Sequence, residues 1–123
     1  MNKDAKILVC DDSILARKNL TTLLNGFGYT DISEAGNGED AVNFSKEKHY
    51  DMIFLDIVMP VKDGVTATRE IMASNPDSKI IIISSVGTQT HIKEAIKAGA
   101  RDFIQKPIDA ELFKQVLENV NGK

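Results

Sequence analysis

The sequence is poor in the features that mark secreted, membrane-bound and nucleic-acid-binding proteins. Its one cysteine, Cys10, cannot form an internal disulfide and fits a reducing compartment. Residues 1–6 are polar and charged, so we expect no signal peptide. Apolar runs such as Ile80–Ile83 are far shorter than the ~20 residues needed to cross a bilayer. The net charge of -3 argues against direct contact with phosphate backbones. We therefore expect a cytoplasmic protein with no membrane insertion and no direct nucleic-acid contact.

The sequence consists instead of short β-branched runs that alternate with amphipathic stretches. Five runs are predicted to be strands: Ile7–Cys10, Thr30–Ala35, Met52–Leu55, Ile80–Ile83 and Asp102–Gln105. Apolar residues at helical spacing follow each run and predict helices over about 13–26, 38–48, 65–73, 90–98 and 109–121. No linker or repeat divides the chain, and its length suits one compact core. We predict a single α/β domain over residues 1–123.

The order of these elements predicts the architecture. Five strand–helix pairs in succession imply parallel strands joined by right-handed crossovers, with helices on both faces of the sheet. In an open sheet of this kind, functional groups collect at the carboxyl ends of the strands. We therefore predict a doubly wound, five-stranded parallel sheet with its chemistry at that end.

Acidic, hydroxyl and amino side chains follow or end four of the predicted strands. Asp11 and Asp12 follow the first strand and Asp56 the third, while Ser84 and Lys106 lie at the ends of the fourth and fifth. Three crowded carboxylates need a compensating cation, and Mg²⁺ prefers such hard oxygens and suits phosphate chemistry. Lys106 and Ser84 can bind phosphoryl oxygens, which leaves Asp56 as the nucleophile of an aspartyl phosphate. Each residue alone has an ordinary structural explanation, but the combination predicts a phosphoryl-transfer site.

These residues lie in motifs that carry a family resemblance. Over essentially its whole length, the chain resembles the receiver domain of bacterial two-component signalling, through Asp11–Asp12, Leu55–Pro60, Asp63–Gly64, Ser84, Ala98–Ala100 and Lys106–Pro107. Within that family it is most similar to the CheY-type single-domain regulators. The resemblance implies a flavodoxin-like sheet with strand order 2-1-3-4-5.

The resemblance also implies a phosphoacceptor and its metal ligands. Asp56 would accept a phosphoryl group from the phosphohistidine of a sensor histidine kinase. Asp12, Asp56 and the backbone carbonyl of Val58 would bind Mg²⁺ directly, and Asp11 would bind it through water. The protein would not be an enzyme in the usual sense, because it would catalyse only its own phosphorylation and dephosphorylation.

A conformational switch is the third implication. Ser84 and Lys106 would bind phosphoryl oxygens, and Phe103 occupies the position of the family's switch aromatic. If Ser84 moves inward, Phe103 can rotate into the vacated space and repack the face formed by the fourth helix, fifth strand and fifth helix. An output protein, with a flagellar motor switch as one candidate, would bind that face. The receiver would be a monomer or a phosphorylation-dependent dimer.

Other functions stay open at this point. A shuttle that passes the phosphoryl group to a histidine phosphotransfer protein would use the same site. A Mg²⁺-dependent hydrolase with an aspartyl nucleophile would need a general acid–base where this chain has Val58. A flavin-binding module would need phosphate-binding Ser, Thr or Gly residues where it has Asp11–Asp12.

Two valines suggest a long-lived phosphorylated form. Val58 and Val86 follow Asp56 and Ser84 by two residues, at positions that flank the path of the hydrolytic water in receivers. Neither side chain can orient water by hydrogen bonding. We therefore expect autodephosphorylation to be slow.

Overall fold

The computed structural model describes residues 3–85 and 88–121. Strands and helices alternate along the chain in the order β1 (Ile7–Cys10), α1 (Ile14–Gly26), β2 (Ile32–Ala35), α2 (Gly38–Glu47), β3 (Met52–Leu55), α3 (Gly64–Ser74), β4 (Lys79–Ser84), α4 (Gln89–Ala98), β5 (Asp102–Gln105) and α5 (Ala110–Asn121). Every predicted strand and helix is present. Within the described ranges, no helix has the length and apolar composition needed to span a membrane.

The five strands form one parallel sheet in the order β2-β1-β3-β4-β5. This confirms the predicted fold class and the strand order implied by the resemblance. β1 and β3 lie inside the sheet and every one of their residues is buried, because helices cover both faces of a doubly wound sheet. Their apolar composition is therefore what allows them to occupy the centre.

Successive strand residues point to opposite faces and build two separate cores. One core joins Leu8 and Ile53 to apolar residues of α2, α3 and α4. The other joins Ile7 and Val9 to apolar residues of α1 and α5, where the Phe113 ring lies 5.4 Å from that of Phe54. The sheet is thereby held rigidly from both sides, which fixes the relative positions of its strand ends.

The predicted boundaries are wrong by one or two residues at several elements. β2 begins at Ile32 rather than Thr30, because the preceding residues form a turn: Tyr29 N donates to Leu24 O and Ile32 N donates to Thr30 O. α3 begins at Gly64, one residue earlier than predicted, because the Asp63 side chain accepts a hydrogen bond from Thr66 N and caps the helix.

Cys10 is a core residue, as its apolar neighbours predict. It is 2% exposed, and its Sγ lies 3.3 Å from Met59 Sδ and donates to Asn37 O. Burial, reinforced by the charge of Asp11, raises the pKa of the thiol to about 12. The nucleophilic thiolate is therefore not formed near neutral pH.

We expect Cys10 to resist alkylation in the folded protein at about pH 8, because the thiol is both protonated and covered. Intact mass after iodoacetamide treatment, with and without denaturant, measures this. Complete labelling should require denaturant, and rapid labelling of the folded protein would contradict the prediction.

The loop between β3 and α3 is closed tightly at its base. Gly64 N donates to Ile57 O over 2.8 Å, and a Cβ at Gly64 would collide with the Asp56 carbonyl oxygen, so only glycine fits. Within this loop Val61 has φ +71, the left-handed region that a β-branched residue disfavours. Its side chain is 81% exposed, so packing contributes little to offset this backbone strain.

We expect Val61→Asn to raise the free energy of unfolding by about 1 kcal/mol, because Asn tolerates the left-handed region. Urea unfolding followed by circular dichroism measures the change. Val58→Asn is the matched control, since Val58 is exposed in the same loop without a positive φ. Equal effects of the two substitutions would show that the gain does not come from relief of strain.

Candidate functional site

Three strand ends bring together two buried acids and a lysine. Asp11 and Asp56 follow the paired residues Cys10 and Leu55 of β1 and β3, so their side chains lie next to each other. Lys106 follows β5, and its Nζ donates to Asp11 Oδ2 over 2.6 Å and to Asp56 Oδ2 over 3.1 Å. The ammonium group thus bridges the two carboxylates.

Asp12 completes an acidic cluster at the rim of the site. One carboxylate oxygen from each of Asp11, Asp12 and Asp56 lies within 4.8 Å of the others. Asp11 and Asp56 are buried, whereas Asp12 is exposed. The cluster therefore has a covered floor and an open side through which a ligand can enter.

The charges at this site do not balance. Lys106 is partly buried, which disfavours its charge, but the hydrogen bonds that it donates to Asp11 and Asp56 outweigh burial and raise its pKa. One ammonium group still faces three carboxylates. Hard oxygen ligands with excess negative charge suit a divalent cation such as Mg²⁺. The donor set therefore fits the predicted metal.

Arg17 fixes the position of Asp11 and was missed by the sequence analysis. Its Nη1 donates to the Asp11 carbonyl oxygen over 2.6 Å, and its Nε pairs with Glu34 at the end of β2. The Asp11 carboxylate also accepts from Ser13 N. An arginine six residues after Asp11, on the following helix, is a weak signal because helix arginines are usually solvated.

Val58 lies beside Asp56, as its position two residues later predicts. Its backbone N–H donates to Asp56 Oδ1 over 3.3 Å, and its side chain is 60% exposed. The backbone of an exposed apolar residue therefore contacts the acid that the sequence predicts to be the nucleophile. Val86 lies outside the described residues.

Ser84 and Phe103 lie on the two strands next to the cluster. Ser84 is the last residue of β4 and is fully buried, and its carbonyl oxygen accepts a hydrogen bond from Lys106 N. Phe103 lies opposite Ile82 in the sheet and is half-buried against the core that α2, α3 and α4 cover. The structure thus places both residues on the strands that lead to the site.

Comparison with known proteins agrees with this geometry. Residues 7–118 match the response regulator receiver domain family. The chain is 40% identical over 116 residues to the chemotaxis protein CheY of Thermotoga maritima, covering 94% of this chain and 97% of that protein. It is also 40% identical over 116 residues to the chemotaxis protein CheY of Bacillus subtilis, covering 94% of each.

Solved structures with the same fold include two that contain magnesium. A chain of the CheX–CheY–BeF₃–Mg²⁺ complex from Borrelia burgdorferi is 34% identical and superposes with a TM-score of 0.92, covering 97% of this chain and 90% of that one. The receiver domain of the histidine kinase PA1611 from Pseudomonas aeruginosa, with magnesium in its active-site cleft, is 27% identical with a TM-score of 0.87, covering 98% and 99%. Sequence, fold and acidic cluster agree, and the chain belongs to the response regulator receiver domain family of two-component signalling.

Proposed function

We propose that residues 1–123 form one receiver domain in which Asp56 accepts a phosphoryl group from the phosphohistidine of a sensor histidine kinase. The observation that carries this proposal is the cluster of Asp11, Asp12 and Asp56 within 4.8 Å, bridged by Lys106. Asp11 and Asp56 are both buried and both accept a hydrogen bond from Lys106. The resemblance of Leu55–Pro60 to the receiver motif is what assigns the phosphoacceptor to Asp56.

The transfer is a displacement at phosphorus. A carboxylate oxygen of Asp56 bonds to phosphorus while the bond from phosphorus to the kinase histidine nitrogen breaks, and the electron pair leaves with that nitrogen. Lys106 then donates to an oxygen of the transferred group instead of to the Asp56 carboxylate. Ser84 supplies a second donor.

Mg²⁺ fits the same site. Asp12, Asp56 and the Val58 carbonyl oxygen would bind it directly, and Asp11 would do so through water. When bound, Mg²⁺ neutralises the charge that gathers on the phosphoryl oxygens. Val58 offers no acid–base group, which argues against a hydrolase acting on external substrates. The chain would catalyse only its own phosphorylation and dephosphorylation.

The signal would leave through the face formed by α4, β5 and α5. β5 is an edge strand, and Phe103 on it is half-buried, packed against the core on one side and partly exposed on the other. Inward movement of Ser84 toward a phosphoryl oxygen would draw Phe103 inward and repack this face. Because the relatives described above are chemotaxis proteins, a flagellar motor switch protein is the output partner that we propose.

We expect incubation with acetyl phosphate and Mg²⁺ to add one labile phosphoryl group to the wild type and none to Asp56→Ala. Intact-mass spectrometry measures the adduct, which EDTA should abolish because it removes the cation. Asp77→Asn is the matched control, since Asp77 is an exposed acid in the turn before β4. No adduct on the folded wild type, with no response to BeF₃⁻ either, would disprove the proposal.

We also expect Val58→Asn to shorten the half-life of the phosphorylated form several-fold. Val58 is exposed beside Asp56, and an amide there can orient the attacking water by hydrogen bonding. Loss of the adduct over time, followed by mass spectrometry, gives the half-life. Val58→Ala, which stays apolar, should behave like the wild type. An unchanged or longer half-life in Val58→Asn would show that residue 58 does not limit hydrolysis.

A further inference from the structure

The loop between β3 and α3 places Val58 beside Asp56. One residue of this loop, Val61, has a backbone conformation that valine disfavours. Val61 has φ +71, and its exposed side chain makes too little contact to stabilise that conformation. No other non-glycine residue in the ranges 3–85 and 88–121 has a positive φ. Something else in the loop must therefore hold Val61 in the left-handed region.

Lys62, the next residue, ties the loop to two helices. Its Nζ lies 2.7 Å from Glu39 Oε1 in the first turn of α2 and 2.6 Å from Glu70 Oε1 in α3. These hydrogen bonds raise the pKa of Lys62, and the one to Glu39 lowers the pKa of that acid. The Lys62 side chain is only 20% exposed, which limits its freedom to leave both partners.

The backbone around Lys62 is fastened as well. Gly38 at the start of α2 packs so closely against the Lys62 carbonyl that a Cβ there would collide with it. Lys62 N donates to Pro60 O over 2.7 Å and so closes a three-residue turn around Val61. Met59 is in contact with Cys10 in the core. Val61 thus lies between two anchored points, one at Met59 and one at Lys62.

We propose that Lys62 is a positioning residue for the metal site. Its two ion pairs hold Val61 in the left-handed region and so keep the Val58 peptide beside Asp56, where its carbonyl oxygen serves as a metal ligand. Without them, Val61 would relax to a negative φ and the peptide planes next to it would rotate. Met59 stays anchored in the core, so Val58 would keep its place in the loop, but its carbonyl oxygen would no longer be held in a fixed orientation toward the site. This inference rests on the proposed function, because that function makes the Val58 carbonyl a ligand.

Electrostatics alone predicts the opposite effect. Removing a cation near an acidic cluster strengthens the attraction of that cluster for Mg²⁺. Loss of positioning weakens Mg²⁺ binding, because one of the ligands is no longer held in place. The direction of the change therefore separates the two explanations.

The test measures Mg²⁺ binding to Lys62→Met. Mg²⁺ is titrated into the protein, and the shifts of the backbone amides in ¹H–¹⁵N spectra give the affinity. We expect Lys62→Met to bind Mg²⁺ roughly tenfold more weakly than the wild type does. This is the lower end of the loss in metal affinity seen when a residue that supports a metal ligand is replaced. Lys62→Arg, which keeps the charge and both partners, should stay within about twofold. Lys114→Met is the matched control, because it removes an exposed lysine from α5.

Combining substitutions at 61 and 62 tests the mechanism directly. Val61→Asn removes most of the strain, so Lys62→Met in that background should weaken Mg²⁺ binding by no more than about twofold. If Lys62→Met does not fold alone, Glu70→Gln replaces it. Removing an acid also weakens the electrostatic attraction for Mg²⁺, so in that variant only rescue by Val61→Asn supports the inference, and absence of rescue overturns it.

Two results would overturn the inference. The first is that Lys62→Met binds Mg²⁺ as tightly as the wild type or more tightly. The second is that Lys62→Met weakens Mg²⁺ binding as much in the Val61→Asn background as it does alone. Failure of the proposed function is distinguishable, because the wild type would then neither bind Mg²⁺ nor take up a phosphoryl group from acetyl phosphate.

Discussion

The site depends on the repulsion between acids that the parallel sheet forces together. β1 and β3 are hydrogen-bonded neighbours in register, so Asp11 and Asp56 lie side by side and buried. Lys106 offsets part of this repulsion by bridging them, but Asp12 adds a third carboxylate. The fold tolerates the remaining negative charge because the side at Asp12 is open, and a cation or a phosphoryl group can alter the balance there. A site of this kind is poised to respond to charge.

The two sides of the site differ in rigidity. The sheet provides its floor and is packed on both faces by apolar cores, so the floor acids have little room to move. The loop after β3 joins the core through Ile57 and Met59, and its outer part keeps its shape through point contacts: the Gly64 amide, the Lys62 ion pairs and the packing of Gly38. In our proposals, the sheet holds the phosphoacceptor Asp56. The loop supplies Val58, whose carbonyl oxygen binds the metal and whose side chain flanks the path of the hydrolytic water. Changes to the loop should therefore tune the chemistry without changing the fold.

Most of the fold could be predicted because strand and helix periodicities differ and strict alternation of the two admits few topologies. The proximity of the three acids and Lys106 could be predicted because each follows a strand end, where parallel sheets collect functional groups. Boundaries such as Ile32 and Gly64 could not be predicted accurately, because turn hydrogen bonds and a helix cap set them. Arg17 and Lys62 could not be recognised in the sequence, since a partly buried, paired basic side chain cannot be distinguished there from a solvated one.

The sequence by itself determined the α/β class, the apolar centre of the sheet and the types of chemical group at the strand ends, because these follow from local composition and order. Only the tertiary structure decided that Lys106 bridges Asp11 and Asp56, that Arg17 holds the Asp11 carbonyl and that Val61 takes a left-handed conformation. The physical reason is that each of these features depends on groups brought together from distant parts of the chain, where a difference of one ångström decides between a bond and none.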